Sequence, residues 1–326
     1  MSTIKDVANK ARVSVATVSR VLNDKGYVSL DKKRRVQQAI KVLNYKPNEI
    51  ARSLFNKKTD TVALIVPDIT NPFFPELAKA IEETLNTFGY TLMLCNANES
   101  PEKEQEYLNV FKSKHVDGVI LASDTLSIEN IKRFKLPLVV IDRSVQKNVS
   151  SVFSDNVDGA RQATRFLLKT GCKVVAHIRG PKHVITANER YKGYVEVVKP
   201  KCWFHEDLVV MGNYDMKTAV SATISLLNKF PEIDGIFAGN DIMGVGVIKA
   251  LHQMGKRIPE DISVIGFDGI GLSEMIYPEL TTIAQPIYEM GSIGARMLIE
   301  KIERETEKET WNKLPVQLVK RSTTNT

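Results

Sequence analysis

The chain has 326 residues, 43% hydrophobic and 25% charged, which is ordinary globular composition and excludes a disordered protein. No apolar run reaches the ~20 residues of a membrane helix, and the opening MSTIKDVANK is too polar for a secretory leader, so a cytoplasmic protein with no membrane partner is expected. The net charge of +7 is unevenly spread: residues 1–60 carry 14 Lys and Arg against 5 Asp and Glu, while the remainder is nearly balanced. A basic head on a neutral body is an electrostatic footprint for nucleic acid.

Residues 1–46 read as three short helices. Ile4, Val7, Ala8 and Ala11 share one helical face, and Thr3 with Asp6 forms a capping pattern at its start. Ser14 caps a second helix, with Val15, Val18, Val21 and Leu22 expected inward, and only Arg12-Val13 separates the two. That spacing is a helix-turn-helix. A third helix is expected from about Leu30 to Leu43, with Val36, Ala39, Ile40 and Leu43 inward. In this motif the second helix enters the major groove, which makes Val15, Ala16, Thr17, Ser19 and Arg20 candidates for base contacts. Arg20 is suited to a forked contact with guanine, and Val15 and Ala16 to thymine methyls or close approach. A three-helix protein-interaction module is the plain alternative.

Residues 47–60 read as a hinge. Pro47 ends the third helix or opens a new one. The stretch NEIARSLFN is helical for under three turns, too short to be stable alone. Leu54 is a large apolar residue with no domain core to enter. It suits a wedge between base pairs in the minor groove, or a contact between paired hinges.

TIKDVANKARVSVATVSRVLN followed by YKPNEIARSL resembles the head and hinge of the LacI/GalR family of bacterial repressors, over about fifty residues without gaps. The resemblance implies that Val15, Ala16 and Arg20 read the major groove, that Leu54 intercalates at the operator centre, and that Ala51, Arg52 and Ser53 sit in the minor groove. Thr3, Ser14, Asn23, Tyr45 and Asn48 are counted with them as DNA contacts. It further implies a homodimer on a near-palindromic operator. Arg12 departs from the pattern at a turn position where many members carry glycine.

The body, residues 61–326, alternates short apolar runs with helical stretches. Strands are expected at 61–67, 90–95, 117–123, 136–142, 174–180, 235–240, 262–268 and 280–285, and helices near 74–88, 101–114 and 127–134. Such alternation makes parallel sheets covered on both faces, and two sets of strands make two α/β subdomains. Ligands of such sheets sit beyond the carboxyl ends of the strands. Nearly every expected strand end delivers a hydrogen-bonding residue: Asn71, Asp142-Arg143, Asn188 and Arg190, Asn240-Asp241, Asp268 and Gln285. Each one singly is equally a loop residue or a cap, as Asn240 is for a helix beginning at Asp241. Their recurrence favours a sugar site.

TNPFFPEL, IDRS, GNDIM, GFDGI and TIAQP resemble the ribose-operon branch of the same family in Gram-positive bacteria. The implied fold is an all-α helix-turn-helix head plus an α/β periplasmic-binding-protein-like body of two interleaved subdomains, responsible for effector binding and dimerisation. The implied pocket contains Asn71, Phe73, Phe74, Asp142, Arg143, Arg190, Asn240, Asp268 and Gln285. Phe73 and Phe74 would sandwich the ring, and Tyr214 and Asn188 fall nearby. Two positions depart: Ala122-Ser123 replaces an asparagine and Asn188 an arginine. The implied function is repression of a ribose operon, relieved by the sugar. The alternatives are a global catabolite regulator answering to a phosphorylated carrier protein, or a different sugar or sugar phosphate.

Other chemistry is not supported. Cys95, Cys172 and Cys202 lack metal or redox spacing and read as packing residues. The five histidines are scattered, and neither a nucleotide loop nor a nucleophile–base motif occurs, so no enzyme, cofactor or metal is expected.

Overall fold

A computed structural model describes residues 2–22, 24, 26–45, 58–123, 136–143, 149–304 and 309–325. Most of the hinge segment, including Asn48, Ala51, Arg52, Ser53 and Leu54, lies outside the described residues, as do Asn23 and the helix expected near 127–134. The chain divides into Met1–Thr59 and Asp60–Thr326.

In the first unit, α1 (Ile4–Ala11), α2 (Val15–Leu22) and α3 (Leu30–Val42) pack around Val7, Ala8, Ala11, Val18, Val36 and Ala39. Thr3 and Asp6 exchange the reciprocal bonds of a capping box, Asp6 N–H to Thr3 Oγ1 at 3.3 Å and Thr3 N–H to Asp6 Oδ2 at 2.7 Å. Ser14 accepts from the Thr17 amide at 3.2 Å. Arg12 ends α1 in the left-handed region, at φ 52° and ψ 53°. That conformation explains the glycine common at this position, and a non-glycine residue there costs about 1–2 kcal/mol. One inward expectation is overturned: Val15, in the first turn of α2, is 40% exposed, whereas Val18 is fully buried. Val15 is the first residue of α2, at the end of the helix, and the valine that enters the head core is Val18, one turn further in.

The second unit carries two six-stranded sheets. The first holds β1 (Thr61–Val66), β2 (Thr91–Asn96), β3 (Gly118–Leu121), β4 (Leu138–Ile141), β5 (Ser150–Ser154) and β11 (Trp311–Leu314), in the order β11-β5-β4-β3-β1-β2. All its pairings are parallel. The second holds β6 (Val175–Arg179), β7 (Val209–Met211), β8 (Gly235–Ala238), β9 (Ser263–Asp268), β10 (Thr281–Ala284) and β12 (Gln317–Val319), in the order β12-β10-β9-β8-β6-β7. Here only β12 is antiparallel to its neighbour.

Side-chain alternation builds two cores per sheet. Val62, Leu64 and Val66 of β1 join the core with α4 (Phe73–Thr87) and α11 (Ile287–Arg304), while Ala63 and Ile65 join the one with α5 (Pro101–Lys114). On β6, Ala176 and Ile178 face α8 (Met216–Lys229) and α9 (Asp241–Gln253), and the four-residue α10 (Leu272–Met275) follows β9. Val175 faces the other way, toward α6 (Asn156–Lys169) and α7 (Ile185–Val198). The chain passes between the sheets three times, from β5 to α6, from β10 to α11 and from β11 to β12. The two subdomains are therefore interleaved. In each sheet one strand, β1 or β6, stands where the winding reverses, and the carboxyl ends beside it open a crevice.

His177, central on β6, is fully buried; its Nδ1–H donates to the Phe237 carbonyl at 2.9 Å, and its ring stacks on Phe237 and Tyr194. Burial, helped by Arg179 and Arg190, lowers its pKa from 6.5 to about 3. The folded protein thus keeps the imidazole neutral while the unfolded chain protonates it near pH 6.5. The associated stability is complete above that pH and is lost as the pH falls toward 3. Between pH 7 and 4.5 the loss is on the order of 2–3 kcal/mol. Urea unfolding at both pH values should show that drop in the wild type and a flatter response in His177→Leu; an equally steep response in the variant would reject the assignment.

Candidate effector-binding cleft

The crevice is a cleft of about 680 Å³, part of it open to solvent. From the first sheet's side it receives Asn71, Phe73 and Phe74 at the start of α4, Ser123 after β3 and Asp142 after β4. From the other side it receives Thr186 and Arg190 of α7, Tyr214, Asn240 and Asp268. Asn71, Phe73, Phe74, Asp142, Arg190, Tyr214, Asn240 and Asp268 are thus brought together as the strand-end pattern and the family resemblance require. Three of them hold left-handed or strained backbone: Asp142 at φ 64°, Tyr214 at φ 57° and Asp268 at φ 109°. Non-glycine residues in such conformations cluster at ligand sites, where the surrounding fold holds them in place.

The centre of the cleft is an ion pair. Arg190 Nη1 lies 3.0 Å from Asp268 Oδ1, with both side chains almost entirely buried. Arg190 also donates to the Gly239 carbonyl at 2.7 Å and to Asn156 Oδ1 at 2.9 Å, and its guanidinium lies 3.9 Å from the Phe267 ring centroid. These bonds use Nε and Nη1, so Nη2 remains for a ligand. Burial raises the Asp268 carboxyl above its ordinary pKa, while Arg190 and Gln285 pull it back. Asp241 stands beneath; burial and the nearby Asp268 push its carboxyl well up. Asp241 accepts the Gly269 and Ile270 amides at 2.8 and 3.0 Å, which fixes the turn that carries Asp268. Gly266 makes room for it, since a Cβ there would stand 2.3 Å from Asp241 Oδ1.

Asn240 does two things. Its Oδ1 caps α9 by accepting from Met243 N–H at 2.9 Å, and the residue is part of the cleft wall. Tyr214 fits because Gly180 has no side chain: a Cβ at Gly180 would lie 2.5 Å from the tyrosine ring. Burial raises the Tyr214 hydroxyl to about 12, so it is a neutral donor at physiological pH.

Several expected positions fall elsewhere. Phe73 and Phe74 do not sandwich a ring between them: their centroids are 5.2 Å apart at 83°, an edge-to-face pair with no space for a sugar, and the aromatic of the opposite wall is Tyr214. Gln285 lies behind the cleft, donating from Nε2 to Asp268 Oδ1 at 2.9 Å. Asn188 accepts from Arg179 Nη2 at 2.7 Å and donates to the Lys182 carbonyl, so Arg179 supplies a guanidinium beside the place where an arginine was expected. Arg143 is 4% exposed and is not among the cleft-lining residues.

The sequence reading missed Glu99, Ser123, His183 and Thr186, which line the cleft. Ser123 stands two residues beyond β3, and its hydroxyl donates to the side chain of Glu104, a fully buried residue on α5. His183 and Thr186 lie four and seven residues beyond β6, nearer the strand end than Asn188 and Arg190, and the strand-end reading passed over them.

On the head, Val15, Ala16 and Arg20 are exposed on one face of α2, Thr17 and Ser19 are half-buried, and Thr3 and Ser14 are exposed at helix starts. Tyr45 is half-buried against the head core. Among the described residues no helix is long and apolar enough to cross a membrane.

A helix-turn-helix head on a two-subdomain body, with a cleft between its sheets lined by charged, amide and aromatic side chains, defines a class of DNA-binding regulators with a periplasmic-binding-protein-like sensor. The chain belongs to the LacI family. Residues 3–48 match the bacterial regulatory proteins of the lacI family, and residues 59–322 match the periplasmic binding proteins and sugar binding domain of LacI family. It is 49% identical to a ribose operon repressor of Halalkalibacterium halodurans, across 99% of this chain and 97% of that one. Among solved structures, the lac repressor dimer bound to operator and the anti-inducer ONPF aligns with a TM-score of 0.90 at 25% identity, over 100% of this chain and 99% of that one. A LacI family regulator from Enterococcus faecium with bound ribose aligns with a TM-score of 0.73 at 32% identity, over 81% and 98%. These relatives are regulators rather than enzymes.

Proposed function

We propose that this protein is a transcriptional repressor of a ribose uptake or utilisation operon. Residues 1–46 bind operator DNA, residues 61–326 bind the sugar and a second copy of the chain, and residues 47–60, with Leu54 as a minor-groove wedge, couple the two. The observation that carries the reading is the meeting of Asp142, Arg190, Asn240 and Asp268 in one cleft with aromatic side chains on both walls. Carboxylates and amides suit vicinal hydroxyls, and aromatic faces suit the C–H surface of a sugar.

The charge of the cleft favours a free sugar over its phosphate. Among the described lining residues, Glu99, Asp142 and Asp268 face one arginine, Arg190, which is already paired with Asp268. A phosphate dianion would meet net negative charge from these residues. The homodimer is supported by the dimeric lac repressor relative. It is also supported by exposed apolar residues on the body, Met275 at 82% and Tyr277 at 90%.

A mobility shift on DNA from the gene's own upstream region, with a panel of sugars, tests the whole reading. A retarded band released by D-ribose is expected. No band at low salt would sink the DNA assignment, and release by another sugar alone would reject the ligand. A band strengthened by a phosphorylated carrier protein and indifferent to sugars would establish the catabolite-regulator alternative. Arg20→Ala should weaken specific binding by about 1–3 kcal/mol and relax preference at a single base pair, with a small change on unrelated DNA. Equal losses on both DNAs would reduce Arg20 to a phosphate contact.

A further inference from the structure

Two of the three passages between the subdomains carry a side chain bonded to the Arg190–Asp268 pair. On the first, from β5 to α6, Asn156 accepts Arg190 Nε at 2.9 Å. On the second, from β10 to α11, Gln285 donates to Asp268 Oδ1 at 2.9 Å. Asn156 also faces back along its own passage: its amide donates to the Ser154 carbonyl at 3.2 Å and to Glu189 Oε2, next to Arg190 in sequence, at 3.1 Å. The neighbouring Asp155 ties the first passage to the third, its N–H donating to the Leu314 carbonyl at 3.0 Å and its carboxylate pairing with Lys313. Asn156 is 1% exposed and does not line the cleft, so it acts on a ligand only through another residue.

We propose that Asn156 is a positioning residue that couples occupancy of the cleft to the geometry of the passages between the subdomains, through Arg190 on one side of its amide and the Ser154 carbonyl on the other. The inference rests on the sugar-binding reading above. A ligand hydroxyl that engages Arg190 fixes the guanidinium, and the guanidinium fixes the Asn156 amide plane. That plane holds the Ser154 carbonyl where the strand leaves the first sheet. The signal therefore reaches the passages without a direct ligand contact. Buried side-chain networks of this kind have few alternative arrangements, because any half-made bond leaves a desolvated polar atom.

Two substitutions in the full-length protein separate the halves of this link. Asn156→Ala removes both. Asn156→Asp keeps an acceptor for Arg190 at nearly the same volume and removes the donor to Ser154 and Glu189. Calorimetry with D-ribose gives affinity, and amide hydrogen exchange on peptides covering residues 150–160 and 283–290 reports the passages. In the wild type, ribose should slow exchange in both peptides. Asn156→Ala should bind ribose at least tenfold more weakly. Asn156→Asp should recover affinity to within about threefold of wild type, yet show no ribose-dependent slowing over residues 150–160, a split that a merely structural residue would not produce. Should Asn156→Ala fail to fold, Asn156→Asp alone decides. Wild-type slowing in Asn156→Asp, or wild-type affinity in Asn156→Ala, would overturn the coupling role. Failure of the wild-type protein to bind ribose would overturn the ligand reading beneath it, a different result on a different sample.

Discussion

Asp268→Asn is expected to yield a folded protein that holds its operator and no longer responds to sugar, with sugar affinity lowered at least about 100-fold. Asp268 Oδ1 is taken by Arg190 and Gln285, and its other oxygen is left for a ligand hydroxyl. An asparagine oxygen can still accept from Arg190 and Gln285, so the internal bonds persist in neutral form. The charge does not persist. A hydrogen bond to a charged group contributes about 1.5–3 kcal/mol, and uncoupling a buried ion pair costs about 3–5 kcal/mol. Asp142 lies in the same cleft and moderates the second term. Asparagine is the right replacement because the backbone at 268 sits at φ 109°, which alanine tolerates poorly. Calorimetry with D-ribose and a mobility shift on the same preparation read the two properties together. Wild-type sugar release in the variant would remove Asp268 from the binding site, and loss of operator binding would assign it a folding role instead.

Much of the fold was legible in the sequence because both sheets are buried on both faces. Strands such as β1 and β9, buried along almost their whole length, read as uninterrupted apolar runs. β5 escaped because its sequence, SSVFS, looks polar. Ser150, Ser151 and Ser154 are nevertheless buried, with Ser150 donating to Glu309 at 2.7 Å and Ser154 set against the Met290 sulfur. β11 and β12, WNKL and QLV, escaped because edge positions leave them partly exposed. Strand-end inspection finds Asp142, Asn240 and Asp268, since position along the chain alone puts them at the crevice. It does not find what each side chain does on arrival. Gln285 and Phe73 have the right addresses, yet one stands behind Asp268 and the other pairs edge-to-face with its neighbour. Those outcomes depend on contacts between residues distant in sequence and on backbone such as φ 57° at Tyr214, neither of which a local pattern encodes.

The same dependence on long-range packing makes Gly193→Ala the most damaging small substitution expected in the body. α6 and α7 cross where Gly193 has no side chain: a Cβ there would stand 2.2 Å from the Val157 carbonyl oxygen and 2.7 Å from Ala160 Cβ. Neither neighbour is the far end of a flexible chain, so the helices must separate. Overpacking of this kind costs about 3 kcal/mol or more, which for a unit of this size lowers the melting temperature by about 6–12 °C. The consequence for function follows from helical geometry. Arg190 lies one turn before Gly193 on the same face of α7, and it reaches across to Asn156 in the first turn of α6. Pushing α7 outward draws the guanidinium away from Asn156 and Asp268 together, so sugar affinity should fall at least tenfold alongside stability. Gly255→Ala is the control. It also replaces a glycine, at φ 67° with nothing within 4 Å, and should cost about 1 kcal/mol through backbone strain alone, with sugar affinity unchanged. Calorimetric unfolding and ribose titration of the two variants side by side distinguish a general loss of stability from a displaced arginine. If Gly193→Ala melts low but binds sugar as well as the control does, the close crossing of α6 and α7 stabilises the body without aiming Arg190.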